Sequence, residues 1–198
     1  MTGDTIRMVI DNIRAHRVRF EAFCRSLSEE EVMRPVPNST WVVKDFASHL
    51  GALDPAMAES FRLSAQGRAD EVFHTEQSEA FRDLDAWNDA RVAERRGWPL
   101  ERILEEAAAN RAALIETLEG ISEEALGRDM YFAGDNKRSA ATLPLRAFML
   151  GWALHDPIHA ADMLKALPER AEEAELQAWV EHPVVKGYQA AMAGPARR

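Results

Sequence analysis

The chain has 198 residues, enough for one domain with a substantial core. With 46% hydrophobic and 29% charged residues it has the composition of a folded globular protein rather than a disordered one. A formal charge of −9 argues against a surface for nucleic acid or anionic membranes, both of which want clustered Lys and Arg, and leaves a small molecule as the expected partner.

The start, Met1-Thr2-Gly3-Asp4, lacks a charged segment followed by an apolar one, so no signal peptide is expected. Residues 5–26 read as a first long helix, because Ile6, Val9, Ile13, Phe20, Phe23 and Leu27 recur at helical spacing. Arg7, Arg14, Arg17, Arg19 and Arg25 fall largely off that stripe and are expected in solvent. Cys24, the sole cysteine, reads as a small core hydrophobe beside Phe20 and Phe23. A single thiol excludes an internal disulfide and suits a cytoplasmic location. Ser28-Glu29-Glu30-Glu31 is a capping-box pattern for a short turn, which Pro35 and Pro37 end.

Asn38, Ser39 or Thr40 is expected to cap a second long helix over 42–66, with Val42, Phe46, His49, Leu53 and Met57 along one side. Residues 67–83 show no period and read as a connection. Residues 84–96 read as a helix ending at Gly97, and Pro99 opens a third long helix over 99–119. Its stripe is Leu100, Ile103, Leu104, Ala107, Leu114, Ile115 and Leu118. Ser122 caps a second short turn, and 131–139 reads as a loop. A fourth long helix is expected over 143–167, carrying Phe148, Trp152, His155, His159 and Met163 on one face until Pro168 stops it. An acidic helix around 171–181 and a weak tail follow. No apolar run approaches the roughly 20 residues that a membrane span needs. The pattern predicts an all-α protein: a four-helix bundle over 1–167, with short extra helices, and a C-terminal helical tail over 168–198 that packs on the bundle or on a partner subunit.

The chemistry gathers at Leu154-His155-Asp156-Pro157-Ile158-His159, within the most apolar stretch of the chain. Histidines four apart on a helix share a face, about 6 Å apart along the axis, and can reach one ion with bonds of about 2.0–2.1 Å. His49 occupies a similar apolar setting on the second helix, so three imidazoles meeting in the core would form a divalent-metal site. Pro157 is expected either to kink the fourth helix with both rings still inward or to break it between them; the apolar face runs in register across it, which favours the kink. Asp45 and Asp162 are the candidate carboxylates to accept a free imidazole N–H. His16, His74 and His182 are not expected to take part.

Three segments resemble the DinB-like superfamily, which includes mycothiol-dependent maleylpyruvate isomerase. They are Trp41 to Leu50, read as W-x-V-x-D-x-x-x-H-L; residues 88–114, with Val92-Ala93-Glu94-Arg95-Arg96 ahead of a helix; and His155-Asp156-x-x-His159. The resemblance implies a four-helix bundle in which His49, His155 and His159 hold a divalent metal. It further implies a metal-dependent S-transferase or isomerase that uses a low-molecular-weight thiol, and a homodimer. Zinc or nickel is the first expectation for the metal, with iron and manganese also compatible with imidazole. Two alternatives stay open: a metal-dependent hydrolase, with water in place of thiol, and a bundle that binds a metal or small ligand without turnover.

Overall fold

Among the described residues the apolar stripes condense into helices packed side by side, with short capped turns and a pair of antiparallel strands between them. The computed structural model describes residues 3–74, 83–132 and 138–193. In chain order the elements are α1 (Asp4–Ser26), α2 (Glu29–Val32), α3 (Val43–Ala65), α4 (Leu84–Arg95), α5 (Leu100–Glu119), β1 (Asp129–Phe132), β2 (Ala141–Pro144), α6 (Leu145–Trp152), α7 (His155–Leu164), α8 (Pro168–Ala171), α9 (Ala174–Val180) and α10 (Pro183–Ala193). Two 3-10 turns, Ala69–His74 and Glu123–Gly127, complete the described set. The bundle consists of α1, α3, α5 and the α6–α7 pair. None of the described helices is long and apolar enough to cross a membrane.

Local chemistry sets most of the boundaries. The predicted capping box at α2 is formed: Glu31 N donates to Ser28 Oγ at 3.2 Å and Ser28 N donates to Glu31 Oε2 at 2.7 Å. Ser122 Oγ accepts from Ala125 N at 3.3 Å in the second predicted turn. The α3 cap differs from the expectation. Asn38 sits in the left-handed region at φ 61° and Ser39 Oγ accepts from Trp41 N, so both belong to the turn ahead of the helix, and Val42 is the N-cap.

Two corrections fall in the second half. The predicted loop over 131–139 begins inside a strand, since Tyr131 and Phe132 belong to β1, which pairs antiparallel with β2, Met130 opposite Leu143 and Phe132 opposite Ala141. Residues 133–137 lie outside the described part. The fourth helix accordingly starts at Leu145, not at 143, because Pro144 pushes the residue before it out of helical torsions.

The fourth helix is also broken rather than kinked, and the break precedes both histidines. Pro157 has no N–H, and its ring would clash with the Ala153 carbonyl in a continuous helix. The chain turns at Ala153 and Leu154 and restarts at His155, placing Pro157 in a first turn where no intrahelical N–H is needed. Ile158 N then donates to Leu154 O at 3.1 Å. His155 and His159 therefore share one short, regular helix.

The core is divided in two. One half gathers Ile6, Ile13, Met57, Phe61, Leu114, Leu118, Leu145 and Met149; the other gathers Phe20, Phe23, Val43, Leu50, Leu104, Met163 and Leu167. Between them lies a buried charged layer with one side chain from each bundle helix. Asp156 Oδ1 accepts from Arg17 Nη2 at 3.0 Å and from Arg111 Nη2 at 3.1 Å, and Arg111 Nε donates to Asp54 Oδ2 at 2.6 Å. Arg17 thus corrects the expectation of a solvated side chain: it is 6% exposed and paired across the bundle. Burial disfavours the Arg111 cation, but Asp156 and Asp54 more than offset this and raise its pKa.

At the same level α3 and α5 approach closely. A Cβ on Gly51 would lie 2.7 Å from Ala107 Cβ, so only glycine fits. Four residues on, Pro55 cannot donate to the Gly51 carbonyl, and Asn110 Nδ2 takes that place at 3.0 Å. The tail packs on the bundle: α9 and α10 both contact α7, and Trp179 Nε1 donates to His16 Nδ1 at 2.9 Å.

Candidate metal centre

The charged layer fixes α7 by its first turn, since Asp156 is held by Arg17 from α1 and Arg111 from α5. That anchor sets the rotation of α7 and turns the adjacent His155 and His159 toward α3. The three predicted histidines are brought together there, with their candidate ligand atoms all within 4.8 Å of one another. His155 Nε2 and His159 Nε2 are 3.0 Å apart, and the His49 ring centroid lies 5.4 and 4.8 Å from theirs. Two ligands of a tetrahedral ion with bonds of about 2.0–2.1 Å stand roughly 3.3 Å apart. The α7 pair already stands close to that spacing, and the widest separation in the cluster, within 4.8 Å, has to close by no more than about 1.5 Å.

The electrostatics suit a cation. Burial lowers the His49 imidazole well below its ordinary value; the His159 ring adds to this, while Asp162 and the Asn88 side chain pull the other way. Burial likewise lowers His155 far below the ordinary range, followed by the neighbouring rings of His159 and His49. Neutral imidazoles offer lone pairs, which is the protonation state that ligation requires. This set of three imidazole nitrogens facing one another fits a divalent ion.

Asp162 supplies the carboxylate beside the cluster: its Oδ2 lies 3.0 Å from His159 Nδ1, and its Oδ1 accepts from Lys165 Nζ at 2.7 Å and Gln189 Nε2 at 3.1 Å. Burial works to raise this carboxyl, but the His159 and Lys165 contacts bring it down to about 2. An ionised Asp162 places the proton on Nδ1 and leaves Nε2 facing the cluster. Asp45, the other candidate, is engaged elsewhere. Its Oδ2 accepts from Val42 N at 3.1 Å and lies 3.5 Å from Arg96 Nη2, so it secures the first turn of α3 rather than an imidazole.

Aromatic rings wall the cluster. Trp152 packs against His155, ring centroids 4.2 Å apart and planes tilted by 34°, Trp41 lies 5.1 Å from His49, and Tyr188 from α10 lies 6.2 Å from His159. Trp41 Nε1 donates to Asp89 Oδ1 at 2.7 Å, clamping α4 over the site. His16 and His182 are bound elsewhere, as receivers of hydrogen bonds from Trp179 Nε1 and Val184 N. The His74 side chain lies outside the described part.

Asn88, Tyr188, Gln189 and the charged layer were not singled out from sequence. The layer had a signal: Arg17 follows Ile13 by four residues and precedes Phe20 by three, which places it on the buried stripe. Arg111 has the same relation to Ala107 and Leu114.

Comparison with known families matches residues 13–156 to the family described as mycothiol maleylpyruvate isomerase N-terminal domain. No match to a curated protein or to a solved structure accompanies it. The matched segment holds α1 from residue 13 onward, all of α3 and α5, and His49 and His155, and the helical bundle agrees with it. The chain belongs to the mycothiol maleylpyruvate isomerase N-terminal domain family, a DinB-like family.

Proposed function

We propose that this chain is an enzyme that uses a divalent ion at His49, His155 and His159 to activate an externally supplied low-molecular-weight thiol, as an S-transferase or isomerase acting on a small electrophile. One observation carries the reading: three imidazoles converge on one point, His49 and His155 held neutral by burial, while the chain's own thiol is sealed in the core. Cys24 is 1% exposed in the core, and burial pushes its thiol far above the ordinary range. The sulfur nucleophile must then come from outside. The family description, which names mycothiol and an isomerase, points the same way.

When bound, a divalent ion supplies the acidity that lets a thiol, of free pKa about 8.5, act as a nucleophile at neutral pH. The chain's residues do the rest. His49 and His155 are kept unprotonated by burial, and Asp162 holds the proton of His159 on Nδ1. Trp41 and Trp152 pack on the rings and limit the water beside them. Zinc or nickel is proposed first for the ion, and iron and manganese suit the same imidazoles. A cytoplasmic location is proposed, in keeping with a single cysteine in the sequence. A homodimer is proposed on the exposed Val18 and Met8 of α1, which are 70% and 46% exposed.

The test is turnover of an electrophile panel by metal-loaded protein, with and without added thiol. Thiol-dependent turnover that His159→Ala abolishes and Cys24→Ala spares is the expected result. Equal turnover without thiol would install the hydrolase reading, and no turnover of electrophiles or esters would leave a binding module.

A further inference from the structure

The tail helix lies outside the segment that matches the family, yet it reaches the site. On α10, Val185, Tyr188, Gln189 and Met192 stand at i, i+3, i+4 and i+7, and Val185 is buried, so this is the face laid on α7. Gln189 is the amide on that stripe. Its Nε2 donates to Ile158 O at 3.2 Å and to Asp162 Oδ1 at 3.1 Å. The opposite orientation of the amide would set its oxygen against two acceptors, so the donor assignment is forced. Gln189 Oε1 is buried and has no hydrogen-bond partner among the described residues. A methionine of similar length would fill the space without that cost, so packing alone does not account for an amide here.

We infer that Gln189 is a positioning residue for the three-histidine site: by holding Asp162 Oδ1 it sets the carboxylate plane that keeps Oδ2 on His159 Nδ1, and so aims His159 Nε2 at the cluster. Lys165 shares Oδ1, but its side chain is 44% exposed and free to leave, whereas Gln189 is half-buried between helices. The tail is therefore part of the functional unit. The inference rests on the metal reading for its consequence, though not for its geometry.

The experiment uses the full chain as Gln189→Met, Gln189→Glu and, as a control, Lys165→Met. Cobalt(II) affinity is read by chelator competition and by the ligand-field absorption of the bound ion. Nitrogen-15 shifts of the His159 ring are read in metal-free protein, and the thermal midpoint is read alongside. The Met variant should keep its midpoint and lose roughly tenfold in cobalt affinity, as changes behind a ligand typically do. The nearly isosteric Glu variant, which sets a carboxylate against Asp162, should lose more and shift His159 away from the Nδ1–H form. The control should stay within about threefold of the parent. Parent-like cobalt affinity and an unchanged His159 tautomer in both Gln189 variants would overturn the inference and leave the metal site standing. If the parent itself takes up no cobalt, the metal reading falls, and the His159 tautomer in the Glu variant still decides whether Gln189 positions the ring.

Discussion

Asp156→Asn should be among the most damaging single substitutions in the chain. Asp156 is 1% exposed, and one of its oxygens accepts from two guanidinium groups, Arg17 at 3.0 Å and Arg111 at 3.1 Å. The buried layer is formally neutral, with Arg17 and Arg111 against Asp54 and Asp156. Asparagine keeps the shape and an acceptor but leaves two cations facing one carboxylate. Removing one partner of a buried pair costs about 3–5 kcal/mol. At about 2–4 °C per kcal/mol for a domain of this size, the midpoint should fall by roughly 6–20 °C. The assay is thermal and urea unfolding followed by far-UV circular dichroism in chelator, so that no bound ion contributes. Arg17→Met in the same chain restores formal balance. The double variant should therefore be more stable than the sum of the single losses by at least about 1 kcal/mol. A cost for Asp156→Asn below about 1 kcal/mol, or additivity within about 0.5 kcal/mol, would refute the claim that this layer acts as one charged unit.

Gly51→Ala should destabilise by about 1–3 kcal/mol despite the better helix propensity of alanine, because its Cβ would sit 2.7 Å from Ala107 Cβ; the same urea titration reads it. Glu31 is held at about 2 by Arg170 and by the Ser28 cap, below its ordinary 4.5. A depressed carboxyl stabilises above its unfolded pKa, so the parent should lose stability as pH falls from about 4.5 to about 2, and Glu31→Gln should flatten that limb in acid titrations followed by circular dichroism. Light scattering at micromolar concentration should give a mass near twice the 22.2 kDa of the chain, and a mass near 22.2 kDa would rule out a stable dimer.

The four long helical segments and the three histidines were legible because each depends on short-range periodicity, which the sequence carries openly. His49, His155 and His159 each sit on an apolar stripe, and stripes meet in the core. What stayed hidden depends on partners far along the chain. Arg17 looked like one of five arginines on α1 until Asp156, 139 residues away, was seen to receive it. Asp45 and Asp162 were equal candidates by spacing. Only the tertiary arrangement, which gives Asp45 to the α3 terminus and Asp162 to His159, separates them. Pro157 was read at the right residue, but the break falls before His155 because the clash of a proline ring acts on the carbonyl four residues earlier. The strand pair escaped notice because β1 and β2 are four residues each, too short for alternation to register.

The central claim is that the three histidines hold one divalent ion. Its most direct test is elemental analysis of protein purified without chelator, set beside His49→Ala, His155→Ala and His159→Ala prepared in the same way. Close to one divalent ion per chain in the parent, lost in each folded variant, is the predicted result. A parent that stays metal-free when zinc, nickel, iron and manganese are offered in turn, or variants that keep their metal, would contradict it.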